Sequence, residues 1–568
     1  MKSSLRNFAA LLATAASVLQ VSAAPRPHIN TAPGAAVRPY VVQSSAEPQL
    51  SHRQLVRLLR QHIKYIFVLY QENRSFDSYF GTFPGASGLF SQPSSETPGF
   101  NQPIMNLDGT VSYIHPFRIG PAQYAADTDD VDHSHPMIVE KMHVVSGTPR
   151  MDRFAESEEQ KYFSEGKPTL EAKQFGELTM AYEDCNTVPF LWRFADRFTL
   201  MDHIFQLVTG PSTPGNLDII AAQTGVTQWV EHPQQGYVTD GASGPGEPVV
   251  NDSDPFWGSP YDLRRKVPVN PYDFTGRHHS SVQYNQTYAS LPLTLAGKKL
   301  HTLTKMDELP AIDLDDIGAD IKAITATGHA SVAWRWYEEG FDHEPKGSVD
   351  PVDASGLHAS YITHHNGPQY FGYVSNNPKM RRNLRGLGDF FRDVESGKLP
   401  AAGGVFYVKG GYGNIAGMKP ADPRVRQVFV GDDDHPGYSD AMISEAMVAR
   451  AVDAIAMSRY WKQSAIIITW DDSEGDYDHV PPPALVTHPN VGSTKDIVPI
   501  SDGPRVPLIV ISPYARVHYV DHAVGSHASV VKFVDRVMGL IPLAKLPDEL
   551  AARKRGKEIY HESYLGPA

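Results

Sequence analysis

Two polar segments, far apart in the chain, carry residue types that bind hard divalent cations. Each segment directly follows an apolar run, at residues 63–70 and 464–470. The candidate ligands are Glu72, Asn73, Asp471 and Asp472. Carboxylate and carboxamide oxygens suit such cations, and two adjacent acids repel each other unless a cation or a proton lies between them. Taken singly, the first segment could be a polar turn and the second a solvated acidic loop.

Hydroxyl groups suited to nucleophilic attack lie in a segment of small, rigid residues at 209–217. Ser212 and Thr213 stand there between Pro211 and Pro214, and a helix is predicted to begin just after them. A hydroxyl at a helix N-terminus faces backbone N–H groups that stabilise a phosphate or a developing oxyanion. The same composition also fits a simple Ser or Thr helix cap.

Three short segments, at 132–135, 364–366 and 434–438, combine histidine with polar and turn-forming residues. Their histidines are His133, His135, His364, His365 and His435. Histidine can donate a hydrogen bond to a phosphoryl oxygen or protonate a leaving alkoxide. Any one of them, taken alone, could equally be a surface or structural histidine.

One reaction would use all of these clusters. An oxygen-ligated divalent metal ion would polarise a phosphoryl group and lower the pKa of a coordinated serine, which attacks phosphorus. A histidine would protonate the leaving oxygen, and water would then resolve the phosphoseryl enzyme. The clusters together predict a metal-dependent phosphate-ester hydrolase with Ser212 as its nucleophile.

Buried strands that alternate with amphipathic helices are predicted to position these residues. The predicted strands are residues 63–70, 464–470 and 505–512, and the predicted helices are residues 54–62 and 439–459. This alternation indicates an α/β fold with a mixed, largely parallel sheet flanked by helices. Because sites in such sheets form at the carboxyl ends of strands, the N- and C-terminal thirds of the chain are expected to build one site. The irregular residues 225–345 are expected to be an insertion or cap.

The first fifty residues are predicted to lie outside the catalytic domain. Residues 1–23 have a positive start, an apolar stretch and a small-residue cleavage site, which is the pattern of a secretory signal peptide rather than a membrane anchor. Residues 24–50 are expected to be a loose leader, and residues 51–566 a single catalytic domain. The protein is therefore expected to be secreted or periplasmic, without stable membrane insertion.

Composition narrows the class of protein further. The 568-residue chain is 41% hydrophobic, which is ordinary for a globular protein, and its formal net charge is -13. This negative net charge argues against nucleic-acid binding, which needs clustered Lys and Arg. Cys185 is the single cysteine, so an internal disulfide and a Cys-rich metal site are both excluded.

Five groups of residues resemble a known family, and they occur in the family order. They are residues 71–81, 210–216, 435–440, 469–472 with 477–480, and 506–514. The chain resembles the bacterial acid phosphatase and phospholipase C family of phosphoesterases, which belongs to the alkaline-phosphatase-like superfamily. The resemblance implies an alkaline-phosphatase-like fold, a divalent metal ion, and a small phosphate ester or a phospholipid as substrate.

The same resemblance implies roles for the candidate residues. The implied metal ligands are Glu72, Asn73, Asp471, Asp472 and Ser212, with Ser212 also the nucleophile. The histidines that are implied to bind phosphoryl oxygens or act as acid are His364, His365, His435 and one of His133 and His135.

The acidic loop, residues 471–479, follows the predicted strand 464–470 and departs from the family pattern. Asp471-Asp472 stands where members often have Asp-Glu, which shortens one ligand by a methylene. Residues 474–476 read Glu-Gly-Asp where many members have Gly-Gly-Phe. The added acids are expected to alter metal preference.

The hydroxyl segment departs as well, because Gly215 separates Pro214 from Asn216 where many members have Pro-Asn. This keeps Thr213 as an alternative to Ser212. Ser212 is preferred because in the family pattern the reactive hydroxyl lies two residues before the next proline, as Ser212 does before Pro214. Thr213 directly precedes Pro214, and the residue before a proline is restricted toward extended backbone. Thr213 is expected to act as the helix cap.

Two other functions fit parts of this pattern. A sulfatase would need Ser-x-Pro-x-Arg, but here Ser212-x-Pro214 continues to Asn216 without the Arg. A non-catalytic secreted binding protein on the same scaffold would be expected to lose ligands, whereas every cluster keeps its polar residues.

Monoester and phospholipid substrates both remain open. The chain stops soon after the catalytic region, without the C-terminal β-sandwich domains of toxin-like members, and this favours small soluble monoesters.

Overall fold

The fold is built on one eight-stranded sheet, seen in a computed structural model of the chain. The structure describes residues 50–232, 248–255, 285–300, 314, 316–344, 358–375, 377–422, 424–425, 427–483 and 501–555. The strands of this sheet are β1 (Tyr65–Gln71), β2 (Thr199–Met201), β3 (Ala333–Glu338), β4 (Leu384–Gly386), β5 (Gly404–Lys409), β6 (Ser464–Trp470), β7 (Leu508–Ile511) and β8 (Tyr519–Asp521).

The order across the sheet is β4-β3-β5-β1-β6-β7-β2-β8. Strand β7 runs antiparallel to both of its neighbours, and every other neighbouring pair is parallel. The central strands β1, β5 and β6 are buried along their whole length, which explains their continuous apolar character. The predicted α/β class, with a mixed and largely parallel sheet, is confirmed.

The described residues form helices around the sheet, and most of these helices share one hydrophobic core with it. They are α1 (His52–His62), α2 (Phe76–Phe80), α3 (His135–Met142), α4 (Phe154–Lys161), α5 (Leu170–Leu178), α6 (Pro189–Arg197), α7 (Ser212–Ala221), α8 (Val226–Glu231), α9 (Leu291–Ala296), α10 (Gly318–Ala326), α11 (Gly372–Ser375), α12 (Leu387–Glu395), α13 (Ala441–Ala456), α14 (His527–Met538) and α15 (Pro547–Arg555). Helix α7 packs against α14, and α12 packs against α13.

Short strand pairs lie outside the main sheet. They are Gln102–Met105 with Val111–Ile114, Phe117–Arg118 with Ala181–Tyr182, Val144–Val145 with Thr148–Pro149, and Ile204–Phe205 with Gly525–Ser526. A small second core joins α3 and α4 to the loop after β6, and it includes Ile138, Phe154 and Tyr477.

The predicted elements correspond closely to observed ones. Strand β6 has the predicted bounds, and α13 lies within the predicted helix 439–459, where Asp440 caps it by accepting the Ile443 N–H. The strand predicted at 505–512 is shorter and antiparallel. It begins only after Pro507, because proline cannot donate a ladder hydrogen bond.

The predictions for the first fifty residues and for the insertion can be compared with the described residues only in part. The predicted signal peptide, and all of the leader except its exposed last residue, Leu50, lie outside the described residues. The insertion predicted at 225–345 overlaps the sheet, because β3 falls within it. In the described part of the chain, no helix has the length and apolarity needed to cross a membrane.

Candidate functional site

The carboxyl ends of β1 and β6 lie side by side at the centre of the sheet. The register pairs Gln71 with Trp470, the last residue of each strand. Glu72 and Asp471 follow directly, and the Asp471 N–H donates to the Gln71 carbonyl at 3.1 Å. Parallel pairing therefore brings the two predicted ligand segments together, although the chain separates them widely.

The predicted ligands and Ser212 form one buried polar cluster. The Asn73 N–H donates to Asp471 Oδ1 at 3.0 Å. Ser212 Oγ is 3.2 Å from Asn73 Oδ1 and 3.4 Å from Asp472 Oδ2, within reach of both as a donor. The cluster thus places one hydroxyl within reach of two oxygen-bearing side chains, those of Asn73 and Asp472.

Lys409, the last residue of β5, places a buried ammonium in this cluster. It contacts Glu72 Oε1 and lies 3.9 Å from Asp471 Oδ2. The two carboxylates therefore lie on either side of one cationic group. Burial lowers the pKa of Lys409 to about 8, against the opposing effect of nearby acids. The sequence reasoning missed β5 and this lysine, whose signal is a Lys that ends a short apolar run, Val405 to Val408.

The acids of the cluster have an excess of negative charge that suits a cation. Burial raises the pKa of Asp471, and burial together with the charge of Asp471 holds the pKa of Asp472 well above its usual range. Beyond Lys409 and His365, neither Glu72 oxygen has a hydrogen-bond partner among the described residues. Oxygen donors with this charge fit a hard divalent ion.

Ser212 is the first residue of α7, and Pro211 is the N-cap. The expectation that Thr213 caps this helix is therefore wrong, because Thr213 already lies within the first turn. Its Oγ1 and its N–H both donate to Asp252 Oδ1, at 3.1 and 3.0 Å. A carboxylate at this helix end interacts favourably with the helix dipole, so Thr213 faces Asp252 while Ser212 faces Asn73 and Asp472.

His133 and His435 lie together beside Asn73. His133 Nε2 is 3.2 Å from Asn73 Nδ2, and its ring meets the His435 ring edge-on with centroids 5.6 Å apart. The His435 ring stacks on Tyr438 with centroids 4.5 Å apart. Each histidine is 9% exposed, whereas the neighbouring acids are almost fully buried, so this pair forms the more accessible side of the cluster.

His365 lies on the Glu72 side of the cluster. Its Nε2 is 3.4 Å from Glu72 Oε2, and its Nδ1 is 3.7 Å from Asp433 Oδ2. The half-buried His364 contacts the His365 ring edge-on, with centroids 4.4 Å apart. The buried His365 is thus held between two carboxylates, and His364 stands behind it.

His135, the alternative to His133, makes a different contact. Its Nδ1 donates to the Thr209 carbonyl at 2.7 Å. Burial lowers the pKa of His135 to about 4, so the ring is neutral near pH 7. His133, which contacts Asn73, is therefore the member of this pair that joins the ligand cluster.

Comparison with known proteins identifies the family. A model described as the Phosphoesterase family matches residues 63–541, which include every residue of the cluster. The chain belongs to the Phosphoesterase family. Relatives of this phosphoesterase include the non-hemolytic phospholipase C of Pseudomonas aeruginosa, which is 22% identical over 89% of this chain and 58% of that protein.

Further relatives carry similar names. Phospholipase C A of Mycobacterium tuberculosis is 24% identical over 84% of this chain and 73% of that protein. The non-hemolytic phospholipase C of Burkholderia pseudomallei is 21% identical over 83% of this chain. This phosphoesterase spans only 55% of the length of the Burkholderia protein.

A solved structure is distantly similar. It is a protein in the alkaline phosphatase superfamily from Vibrio parahaemolyticus, with 10% identity, a TM-score of 0.26, and coverage of 62% of this chain and 60% of that one. The sheet topology of this phosphoesterase itself gives the α/β fold class.

Glu474, which stands where the family pattern has a glycine, lies in the site of this phosphoesterase. Glu474 contacts Asn73 Nδ2, and its Oε2 lies 3.6 Å from His133 Nδ1. Burial opposes protonation of His133, but the charges of Glu474 and Asp130 raise the pKa of His133 well above its usual range. Ligand atoms of His133, His435 and Glu474 all lie within 4.8 Å of one another.

Three residues of the site adopt the left-handed backbone region that favours glycine. The φ angles are 61° at Asn73, 85° at Asp434 and 61° at Glu474. Such conformations cost about 1–3 kcal/mol each and persist where surrounding contacts enforce them. The backbone at Glu474 therefore keeps the conformation that a glycine would adopt freely, while its side chain adds a carboxylate.

A buried ion network anchors the acidic loop beside the site. Arg505 donates to Asp478 Oδ1 at 2.8 Å and to Asp77 Oδ1 at 3.0 Å. The His479 ring and N–H both contact Asp77 Oδ2, at 2.6 and 2.8 Å. The network ties the loop after β6 to the segment after β1, which fixes the two ligand-bearing segments relative to each other.

Proposed function

We propose that this chain is an exported, metal-dependent phosphate-ester hydrolase that acts through a covalent intermediate on Ser212. The observation that carries the proposal is the position of Ser212 Oγ, at the first residue of α7 and within 3.4 Å of both Asn73 and Asp472. Membership of the Phosphoesterase family and relatives named phospholipase C support the same chemistry.

A divalent metal ion would be held by one set of side chains. These are Glu72, Asn73, Asp471, Asp472 and Ser212, whose oxygens are buried together. When bound, such an ion supplies Lewis-acid polarisation of the phosphoryl group and lowers the pKa of the serine hydroxyl. The cluster contains several buried carboxylates, and the two Glu72 oxygens have no hydrogen-bond partner among the described residues other than Lys409 and His365. Both features support binding of a divalent cation at this place.

Ser212 acts as the nucleophile, and a histidine protonates the leaving group. Ser212 Oγ attacks phosphorus and passes its proton to Asp472 Oδ2, 3.4 Å away, while the ester P–O bond breaks on the opposite side. His435 gives the leaving alkoxide a proton, because it is more accessible than His365, which two carboxylates enclose. Water then breaks the P–O bond to Ser212 and releases a phosphate or a phosphorylated alcohol. The N-terminus of α7 stabilises the phosphoryl charge.

The substrate is a phosphate ester, and the two candidate classes are soluble monoesters and phospholipid diesters. The relatives' names favour a phospholipid diester. The acidic net charge makes an anionic membrane surface a poor match, and we therefore expect soluble monoesters to be turned over faster. The pattern of residues 1–23 supports export to the periplasm or beyond.

Assays on the purified protein test this proposal. A nitrophenyl phosphate is compared with vesicles of phosphatidylcholine, with or without an added anionic phospholipid, in the presence and absence of chelator. Ser212→Ala is expected to lose at least about 10³-fold in kcat and any trapped phosphoenzyme, while Thr213→Ala keeps part of its activity. Chelation should abolish turnover until metal is restored. An inactive Thr213→Ala beside an active Ser212→Ala would move the nucleophile to Thr213, and vesicle turnover faster than monoester turnover would reverse the substrate order.

A comparison of two substrates with different leaving groups tests the role of His435. His435→Ala is expected to lose far more activity on an alkyl phosphate than on a nitrophenyl phosphate, since nitrophenolate leaves without a proton. The kcat values on both substrates measure this directly, with His518→Ala, which alters an exposed histidine outside the cluster, as the control. Equal losses on the two substrates would assign His435 to phosphoryl binding instead.

A further inference from the structure

A second group of metal-binding residues lies at the far side of the sheet. Strands β2 and β8 are parallel neighbours, and their last residues, Met201 and Asp521, are paired. Asp202 and His203 follow β2, and His522 follows β8. These side chains therefore emerge together at a carboxyl edge, as the ligands of the catalytic cluster do.

The backbone at this edge is held in place on both strands. The Asp202 N–H donates to the Asp521 carbonyl at 3.1 Å, and the Gly525 N–H donates to the His203 carbonyl at 2.9 Å. Arg505 donates to the Asp202 carbonyl at 2.7 Å. The three side chains are thus presented by paired strands rather than by a loose loop.

Two imidazoles converge on one buried carboxylate. His203 Nδ1 is 2.6 Å from Asp202 Oδ1, and His522 Nδ1 is 2.8 Å from Asp202 Oδ2. The ligand atoms of all three residues lie within 4.8 Å of one another. The Asp202 side chain is fully buried, whereas those of His203 and His522 are 21% and 59% exposed. An ion could therefore enter from the solvent side and keep water as a further ligand.

We propose that Asp202, His203 and His522 bind a divalent transition-metal ion, of which Zn²⁺ is the best match. Two imidazole nitrogens and one carboxylate oxygen form a ligand set that Zn²⁺ favours and Ca²⁺ or Mg²⁺ does not. Zn²⁺ binding requires small movements from the present hydrogen-bonded spacing, since metal bonds of about 2.0–2.2 Å spread the ligands slightly further apart.

This site is separate from the catalytic cluster. Strands β6 and β2 have β7 between them, and strands are spaced by about 4.8 Å, so the two sites are about 10 Å apart or more. Arg505 connects them, because it contacts both the Asp202 carbonyl and the Asp478 carboxylate of the acidic loop. The ion would bridge the ends of β2 and β8 and thereby stabilise the edge of the sheet.

Zinc stoichiometry of the full-length protein tests the proposal. The chelator-treated protein is dialysed against Zn²⁺, and bound metal is measured by elemental analysis. His522→Ala is expected to bind about one equivalent less Zn²⁺ than the unaltered protein, because a three-ligand site loses one ligand. The same loss is expected for His203→Ala, with phosphatase activity unchanged in both variants.

A matched control separates this site from nonspecific histidine binding. His518→Ala removes an exposed histidine just before β8 and is expected to leave the Zn²⁺ stoichiometry unchanged. The thermal midpoint of the unaltered protein should also rise with Zn²⁺ by more than that of His522→Ala, since a ligand that binds only the native state stabilises it. Equal Zn²⁺ content in His522→Ala and the unaltered protein would overturn the proposal, whatever the fate of the catalytic assays.

Discussion

Lys409 brings a positive charge to the carboxylates that the proposed metal ion would bind. Its ammonium contacts Glu72 and approaches Asp471, and all three side chains are buried. A buried carboxylate that loses its cationic partner is strongly destabilising. Lys409 therefore offsets part of the charge of the cluster, and a divalent ion would offset more of it.

Replacement of Lys409 by Met should make folding depend on metal. In chelator, Lys409→Met is expected to lower the free energy of unfolding by about 3–5 kcal/mol, because Glu72 and Asp471 are left without their cation. A saturating divalent ion should recover much of that loss. Urea unfolding with and without metal measures both effects.

Lys64→Met is the matched control, since Lys64 is exposed just before β1. It should change the free energy of unfolding by no more than about 0.5 kcal/mol. If Lys409→Met unfolded at the same urea concentration as the unaltered protein in chelator, Lys409 would not be compensating these acids.

Helix α7 approaches the acidic loop at a glycine. A Cβ on Gly215 would lie 2.5 Å from the Asp471 carbonyl oxygen and 2.7 Å from Asp471 Cβ. The Tyr70 hydroxyl donates to the Gly215 carbonyl at 2.7 Å, and Asn216 Nδ2 donates to the Ser212 carbonyl at 2.9 Å. The extra residue relative to the family pattern is thus the point where the Ser212 helix contacts a ligand segment.

A methyl group at this contact should impair activity. Ala normally stabilises a helix interior relative to Gly by about 1 kcal/mol, but Gly215→Ala must displace Asp471 or α7. We expect kcat to fall by about 10²-fold or more, since small displacements of reacting groups have effects of that size. Steady-state kinetics and a thermal melt distinguish this from unfolding.

Gly318→Ala is the control for the helical effect, because Gly318 begins α10 and a Cβ there meets nothing within 4 Å. That variant should keep full activity and equal or higher stability. Full activity in Gly215→Ala would show that the contact between α7 and Asp471 can relax without cost.

Across the whole molecule, the core contains carboxyl groups away from the proposed catalytic site. One is Asp535 on α14, where burial raises the pKa to about 8. Its Oδ2 accepts the Leu543 N–H at 3.4 Å. An unfolded aspartate has a pKa of about 3.9, so the folded state holds this proton far more tightly than the unfolded state does.

Asp535→Asn should therefore flatten the pH dependence of stability. Since the folded-state pKa is the higher one, the contribution of Asp535 is fully present below about pH 4 and is lost as the pH rises towards 8. Asn resembles the protonated acid, so the variant is expected to be more stable at pH 8, by at most about 6 kcal/mol, with the difference vanishing near pH 4.

Urea unfolding at several pH values from 4 to 8 measures this difference. Asp453→Asn, which alters an exposed aspartate on α13, should show no comparable trend. A constant difference between Asp535→Asn and the unaltered protein at every pH would mean that Asp535 titrates normally in the folded state.

The sequence by itself determined two central strands, β1 and β6, and the candidate residues at their ends. A continuous apolar run, such as residues 464–470, is a local signal of a strand buried on both faces, and it predicted β6 to the residue. Because parallel strands share a carboxyl edge, the position of Glu72 after β1 and Asp471 after β6 also predicted that they would meet.

Only the tertiary structure decided which distant residues share that cluster with them. Lys409 joins it because β5 pairs with β1, and Glu474 joins it through its contacts with Asn73 and His133. The antiparallel direction of β7 and the close approach of Gly215 to Asp471 are also set by contacts between segments that are distant in sequence. Strand order, register and contact between sequence-distant segments are set by packing of the whole chain, so no local pattern encodes them.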